Sequence, residues 1–304
     1  MQMRSRIPAR RGFALIAVFW IVIVVGLFAA IVAARTGFDI ERSGAAVSMG
    51  RARAAADGAA EEAAFQVIGR VSTGLQLVSL ADLADFVIQI DGIPVRVSIV
   101  DEDSKIDLNS AQPELLAVLL QTVGLSVDDA RTLGDHIADF RDEDNLKRAH
   151  GAEAAEYREA DSVAGPKNAP FDSLDELGQV LGINAEIVAA VMPMLTVYSG
   201  RAQFDPDTGP PEHKILADTI EASGLGMMFV PSRRRIFSVT ATAELPNGTV
   251  FPRRAVFRIS GDPRQPVYWL SWVVPARDAS SATPSGAGAD GRTSLRGLSP
   301  ALFK

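Results

Sequence analysis

The chain has 304 residues, a net charge of −7, 47% hydrophobic and 22% charged content, and no cysteine. Its length allows one or two domains with sizeable cores, and its composition excludes both wholesale disorder and a polytopic membrane protein. Without cysteine there are no disulfides, thiolate nucleophiles or Cys-ligated metals, and the negative charge argues against a large nucleic-acid footprint, which draws its affinity from clustered Lys and Arg.

Met1 to Gly12 contains Arg4, Arg6, Arg10 and Arg11 and no acid, and an uncharged run from Phe13 to Ala34 follows. That run, about 22 residues, is long enough to span a bilayer as a helix. The positive-inside rule keeps the arginines in the cytoplasm and puts the chain after Arg35 outside. Three readings compete: an uncleaved signal anchor, a secretory signal cut near Ala29 to Ala34, and a leader cut before the apolar run.

The stretch Arg10-Arg11-Gly12-Phe13-Ala14-Leu15-Ile16 resembles the type IV prepilin processing site. The resemblance implies cleavage after Gly12 by a prepilin peptidase and methylation of the new N-terminal Phe13. Most pilins and pseudopilins carry Glu as the fifth mature residue, where it pairs in lipid with the terminal ammonium of the subunit above. Here that place is Ala17. A subunit at a filament tip has nothing above it to pair with and can leave the carboxylate out. Residues 1–12 are thus expected as a cleaved leader, 13–34 as a transmembrane helix and 35–70 as its periplasmic continuation. Arg35 to Arg70 is rich in Ala, a composition of helix formers, although Gly44, Gly50 and Gly58 each cost about 1 kcal/mol in a helix interior. An Ala-rich linker is the competing reading.

Ile93 to Val100 alternates Val95, Val97 and Ile99 with Arg96 and Ser98, the pattern of a half-buried strand. Asn109-Ser110 then caps a helix over Ala111 to Leu120, Gly124 ends it, and Ser126 with Asp128 and Asp129 opens a second helix to about Phe140. A similar unit returns at Asp172 to Leu177, with a turn at Gly182 and a helix from Asn184 to Ala190. The pair reads as repeated helix-hairpin-helix units, which serve either as packing modules or as grips on nucleic-acid backbone. Strands follow over Arg235 to Leu245, Val250 to Ile259 and Val267 to Val274, the first two joined by a turn at Pro246-Asn247-Gly248. Ala276 to Lys304, rich in Ser, Gly and Ala, reads as a disordered tail.

No enzyme constellation is present: His136, His150 and His213 are scattered, and the P-loop, dinucleotide and serine-elbow patterns are absent. The one dense polar cluster runs from Asp135 to Asp161 and breaks the EF-hand pattern. Composition alone leaves it as a solvated acidic face or as oxygens shared by a hard cation.

Taken together, these residues resemble the general secretion pathway protein K family, the large minor pseudopilins of type II secretion. Val100 to Asn109 resembles the lead into that family's inserted helical domain. Ala138 to Asp144, Gly151-Ala152-Glu153, Tyr157, Lys167 to Pro170 and Ser173 to Leu177 follow the family's order, with Phe140 where Trp is common.

The resemblance implies an α+β fold. A long N-terminal transmembrane and pilin helix would serve a pilin-like antiparallel sheet domain (71–108 and 197–275) carrying an inserted all-α domain (109–196). It also implies Ca²⁺, carried onto Asp139, Asp142, Asp144 and Glu153. It implies a non-enzymatic subunit of the inner membrane, single-pass with its C-terminal domain in the periplasm, capping the pseudopilus tip. The implied partners are the other minor pseudopilins, the major pseudopilin, the prepilin peptidase and the inner-membrane assembly platform, with no nucleic acid. The competing readings are a membrane-anchored DNA-uptake protein using the hairpin units and a single-pass membrane enzyme.

Overall fold

A 62-residue helix, α1 (Arg11–Ser72), runs without a break past Gly44, Gly50 and Gly58. The computed structural model describes residues 11–72, 85–210 and 212–275, with side chains for 17–31, 44–71, 85–210 and 213–275. The expected leader up to Arg10 and the expected tail lie outside the described residues.

The second half of α1 buries Ala52, Ala55, Ala56, Ala59, Ala60, Ala63, Ala64 and Val67. Spacings of three and four put these small residues on one face, so the helix lies close against a sheet. The face it meets comes from Val95, Val97, Ile99, Phe237, Val239, Ala241, Ala243 and Phe257. A Cβ at position 58 would meet Ile90 at 3.6 Å, an ordinary van der Waals contact, so the packing there does not require glycine.

The sheet has five strands in the order β1 (Phe86–Ile90), β2 (Ile93–Asp101), β5 (Ile236–Glu244), β6 (Val250–Ile259) and β7 (Val267–Val273), and every pairing is antiparallel. β1 escaped the sequence reading: its five residues alternate only weakly, and the turn Asp91-Gly92, at φ of 48° and 73°, joins it to β2. The expected turn after β5 is present, with Gly248 at φ 80° and its amide donating to Leu245 O at 2.9 Å.

Between β2 and β5 sits a helical block built on α2 (Pro113–Thr122), α3 (Val127–Arg141), α4 (Ala154–Glu159), α5 (Ala185–Val191) and α6 (Glu212–Ala222). A short parallel pair, β3 (Ile106–Asp107) with β4 (Leu195–Thr196), ties its entry to its exit. Its core includes Leu115, Leu116, Leu119, Leu133, Ile137, Phe140, Tyr157 and Leu177.

Three expectations change. Asn109 does not cap α2. The cap is Gln112, because Pro113 occupies the first turn, and Asn109 instead holds Phe171 through both main-chain groups, at 2.7 and 2.9 Å. The first element of the second hairpin unit is a 3-10 turn over Leu174–Gln179 rather than an α-helix. Residues 197–229 were assigned by sequence to the sheet domain, yet Phe204, Leu216 and Ile220 are core residues of the helical block and Met228 and Phe229 pack on it. The amphipathic face of α6 has its apolar match there. Sheet and helical block belong to one compact unit ending at Val274.

Ser126 caps α3 as expected, its hydroxyl accepting from Asp129 N at 3.2 Å. Ser126→Ala should cost about 1 kcal/mol, read as a loss of melting temperature with unchanged far-UV circular dichroism.

Candidate functional site

The processing segment lies at the start of α1. Gly12 and Phe13 fall within its helical backbone, with side chains outside the described set, and Ala17 is the first residue whose side chain is described. The large apolar side chains that follow are bare, from 42% exposed at Ile23 to 69% at Phe28. A surface of that kind needs cover from lipid or from other helices. Among the described residues, which carry side chains only for Ala17–Ile31 of this run, no helix is long and apolar enough to cross a membrane.

The acidic cluster forms where α3 ends. Asp139 is fully buried in the last turn, Asp142 caps that helix, and Glu153 precedes α4. One Asp139 oxygen accepts from Arg148 N at 3.1 Å, while Asp142 meets the Arg148 guanidinium at 3.2 Å. Gly151 is required beneath them: a Cβ there would overlap the Asp139 carboxylate. Asp144 stands apart at the exposed tip, accepting from Leu146 N at 2.7 Å.

Several buried oxygens in this loop have no hydrogen-bond partner: Asp142 Oδ1, both oxygens of Glu153, Asn168 Oδ1, and Asp139 Oδ1, which has only an ion-pair contact with Arg148 Nε at 3.2 Å. Burial first, and then neighbouring carboxylates, push the Asp139, Asp142 and Glu153 pKa values up. Orphaned acceptors are costly unless a proton, water or cation meets them. Among the described residues no three His, Cys, Asp or Glu side chains converge as a formed metal site, so this is a group of oxygens sharing one neighbourhood.

Sequence reasoning named Asn168 and Gly151 only as matches to the family and gave them no role in the site, and it missed Arg148. Asn168, at φ 51°, donates its amide N–H to Phe140 O at 2.9 Å and its side-chain NH₂ to Asn145, pinning the far side of the loop. The local sequence carries only one signal for it, an Asn that tolerates the left-handed region.

A second polar cluster, also unforeseen, lies at the seam where β2 enters the helical block. Asp101, Glu102, Asp103 and Lys105 are all buried. Lys105 meets Glu102 at 2.5 Å, and Thr196 donates to the other Glu102 oxygen. Asp103 accepts from Arg233 N, Nε and a terminal nitrogen at 2.9, 3.2 and 3.1 Å, and from Arg201 at 3.3 Å. The seam thereby ties residues 101–105 to the returning segment before β5. Burial pushes the Asp101 carboxyl up to about 7, against hydrogen bonds from Ser232 and the Asp103 amide.

Most amides of the hairpin turns are already engaged within the fold. Gly124 and Leu125 N–H donate to Gln121 and Leu120 carbonyls, Ile183 N–H to Val180 O, and Leu181 N–H to the Tyr157 hydroxyl. Groups already satisfied within the fold have nothing to offer a phosphate.

Residues 95–200 match the family model for type II secretion system protein K. A chain of the crystal structure of the GspK-GspI-GspJ complex from the enterotoxigenic Escherichia coli type 2 secretion system is similar in fold, with a TM-score of 0.56 at 14% identity. The match covers 73% of this chain and 96% of that one. No curated protein matches the chain.

Proposed function

We propose that this chain, which carries a type II secretion protein K domain over residues 95–200, works as a minor pseudopilin held in the inner membrane and placed at the tip of the periplasmic pseudopilus. The observation that carries this reading is the whole architecture around α1. A helix with bare apolar flanks at its start becomes an alanine ridge under an antiparallel sheet, and a helical block is inserted between β2 and β5. The bare part suits packing among other such helices or in lipid. The inserted block widens the subunit beyond its helix, a shape suited to the end of a fibre, and Ala17 removes the carboxylate that a subunit along the fibre would need. Its partners in this role are other minor pseudopilins, in keeping with the named complex whose chain it resembles. The DNA-uptake reading gains no support, since most of the hairpin amides are spent and the flanks are acidic.

Calcium is the second part of the proposal. Asp139, Asp142 and Glu153 would hold it, with Asp144 swinging in from the tip and the Asn168 carbonyl as an additional oxygen. The fit rests on the orphaned oxygens: a hard cation takes about six to eight such ligands in flexible loops and offsets the repulsion among them. The metal would order the loop and do no chemistry.

The N-terminus tests the pathway directly. Mass spectrometry of the mature protein from its host should find a chain starting at methylated Phe13. A chain starting at Met1 or near Arg35 would remove the pseudopilin reading.

A further inference from the structure

The edge strand β7, Val267–Val273, reads VYWLSWV, with no charge and no proline. Tyr268, Trp269, Leu270, Val273 and the following Val274 are 38 to 52% exposed. Natural sheets guard their edges with charges, proline or bulges, and this one has a single register shift, at Val256/Phe257 on the partner strand. The main contacts of α1 are with β1, β2, β5 and β6, so Trp269 and Trp272, stacked edge to face at 4.6 Å, form a shelf beside the helix. Trp269 is 40% exposed while Trp272 is half-buried against the core, and partly exposed aromatic residues are enriched in interfaces.

The opposite face of the sheet supplies the charge. Register puts Arg254 opposite Val273, and Arg258 opposite Tyr268, with its guanidinium 5.6 Å from that ring. Neither arginine has an ion-pair partner among the described residues, in a chain of net charge −7. Resting on the pseudopilin reading, we propose that β7 docks an acidic edge strand of a second pilin-like subunit of different sequence. The partner's main chain would pair with β7, its apolar side chains would cover the tryptophan shelf, and its carboxylates would meet Arg254 and Arg258. A second copy of this chain fits less well, because edge-to-edge pairing brings both arginine sets onto one face. Residues 276–304 fit less well too, carrying four basic and two acidic side chains.

The test is photocrosslinking of the full-length protein in its host, with benzoyl-phenylalanine in place of Tyr268 and, as controls, of Val127 and Leu146, which are exposed on the helical block. The expected result is an adduct at 268 alone, whose partner peptide belongs to a net-negative strand of a pilin-like subunit. Arg254→Glu with Arg258→Glu should cut its yield about tenfold, and the milder Arg254→Gln with Arg258→Gln should fall between, both with wild-type melting. The proposal is overturned by no adduct, an adduct to a second copy, to residues 276–304 or to an unrelated protein, or a yield indifferent to both charge variants. Deletion of the gene separates the two readings. Loss of protein export with no adduct at 268 sinks only the docking edge, whereas unimpaired export sinks the pseudopilin role whatever the adduct.

Discussion

Asp103→Ala is expected to lower the stability of the protein by about 3 kcal/mol, a fall of roughly 6–12 °C in melting temperature for a domain of this size. The side chain is 1% exposed and serves two guanidiniums at once. Burial works against its charge, but the hydrogen bonds and charge of Arg233, with Arg201 behind them, hold its pKa below the usual carboxylate range. Removing it leaves Arg201, only 13% exposed, without its carboxylate and cuts the side-chain ties of Arg233, leaving Ser232 bound to Asp101 as the remaining side-chain link of that segment to β2. The loss exceeds that of an ordinary surface pair because a buried cation keeps its desolvation cost after its partner has gone. A melt within 1 °C of wild type would sink this account of the seam. The pH dependence has a definite sign. The Asp103 contribution is complete above its unfolded pKa of about 3.9 and is lost as pH falls through its lowered folded value. Asp101 acts oppositely: its folded pKa of about 7 lies above its unfolded one, so stability declines as pH rises from about 4 to 7. Asp101→Asn should flatten that part of the profile.

Calcium at a hundred times its dissociation constant should stabilise the protein by about 2.7 kcal/mol, and a chelator should reverse it. Asp139→Ala should abolish the response, because the buried carboxylate sits at the centre of the group, while Asp128→Ala, 96% exposed on α3, should leave it unchanged. Protons and cation compete for the same oxygens. The Asp139, Asp142 and Glu153 pKa values are raised, so the affinity should weaken as pH falls through the region just above the ordinary carboxylate range. Without metal the sign reverses: raised carboxylates make the empty fold less stable as pH rises through those same values. Calorimetry with no calcium heat, together with a melt that ignores chelator, would reduce the loop to a solvated face.

Much of the fold was legible because its signals are local. Ser126 and Asn184 cap the helices they precede, Gly124 and Gly182 take the positive φ their turns require, and β2 alternates as a half-buried strand does, while β5 and β6 form the strands expected around the turn at Gly248. Among the elements that were missed, β1 and α4 are short, whereas α6 is an amphipathic helix of 11 residues that the reading passed over. Membership of 197–229 in the helical block depends on Phe204, Leu216 and Ile220 finding partners far off in the chain.

The candidate site divides in the same way. The sequence by itself determined the order of helix, sheet and insert, the apolar run after Gly12, the absence of a carboxylate at Ala17 and the crowding of acids after Asp135, all properties of neighbouring residues. Only the tertiary structure decided which of those acids are buried. It left Asp139, Asp142 and Glu153 with unsatisfied oxygens while Asp144 stayed in solvent, joined Asp103 to Arg201 and Arg233 about a hundred residues away or more, and put β7 at the edge of the sheet formed by the described residues. Burial and pairing are set by which distant segments meet, and a residue's own neighbours in sequence carry little information about that.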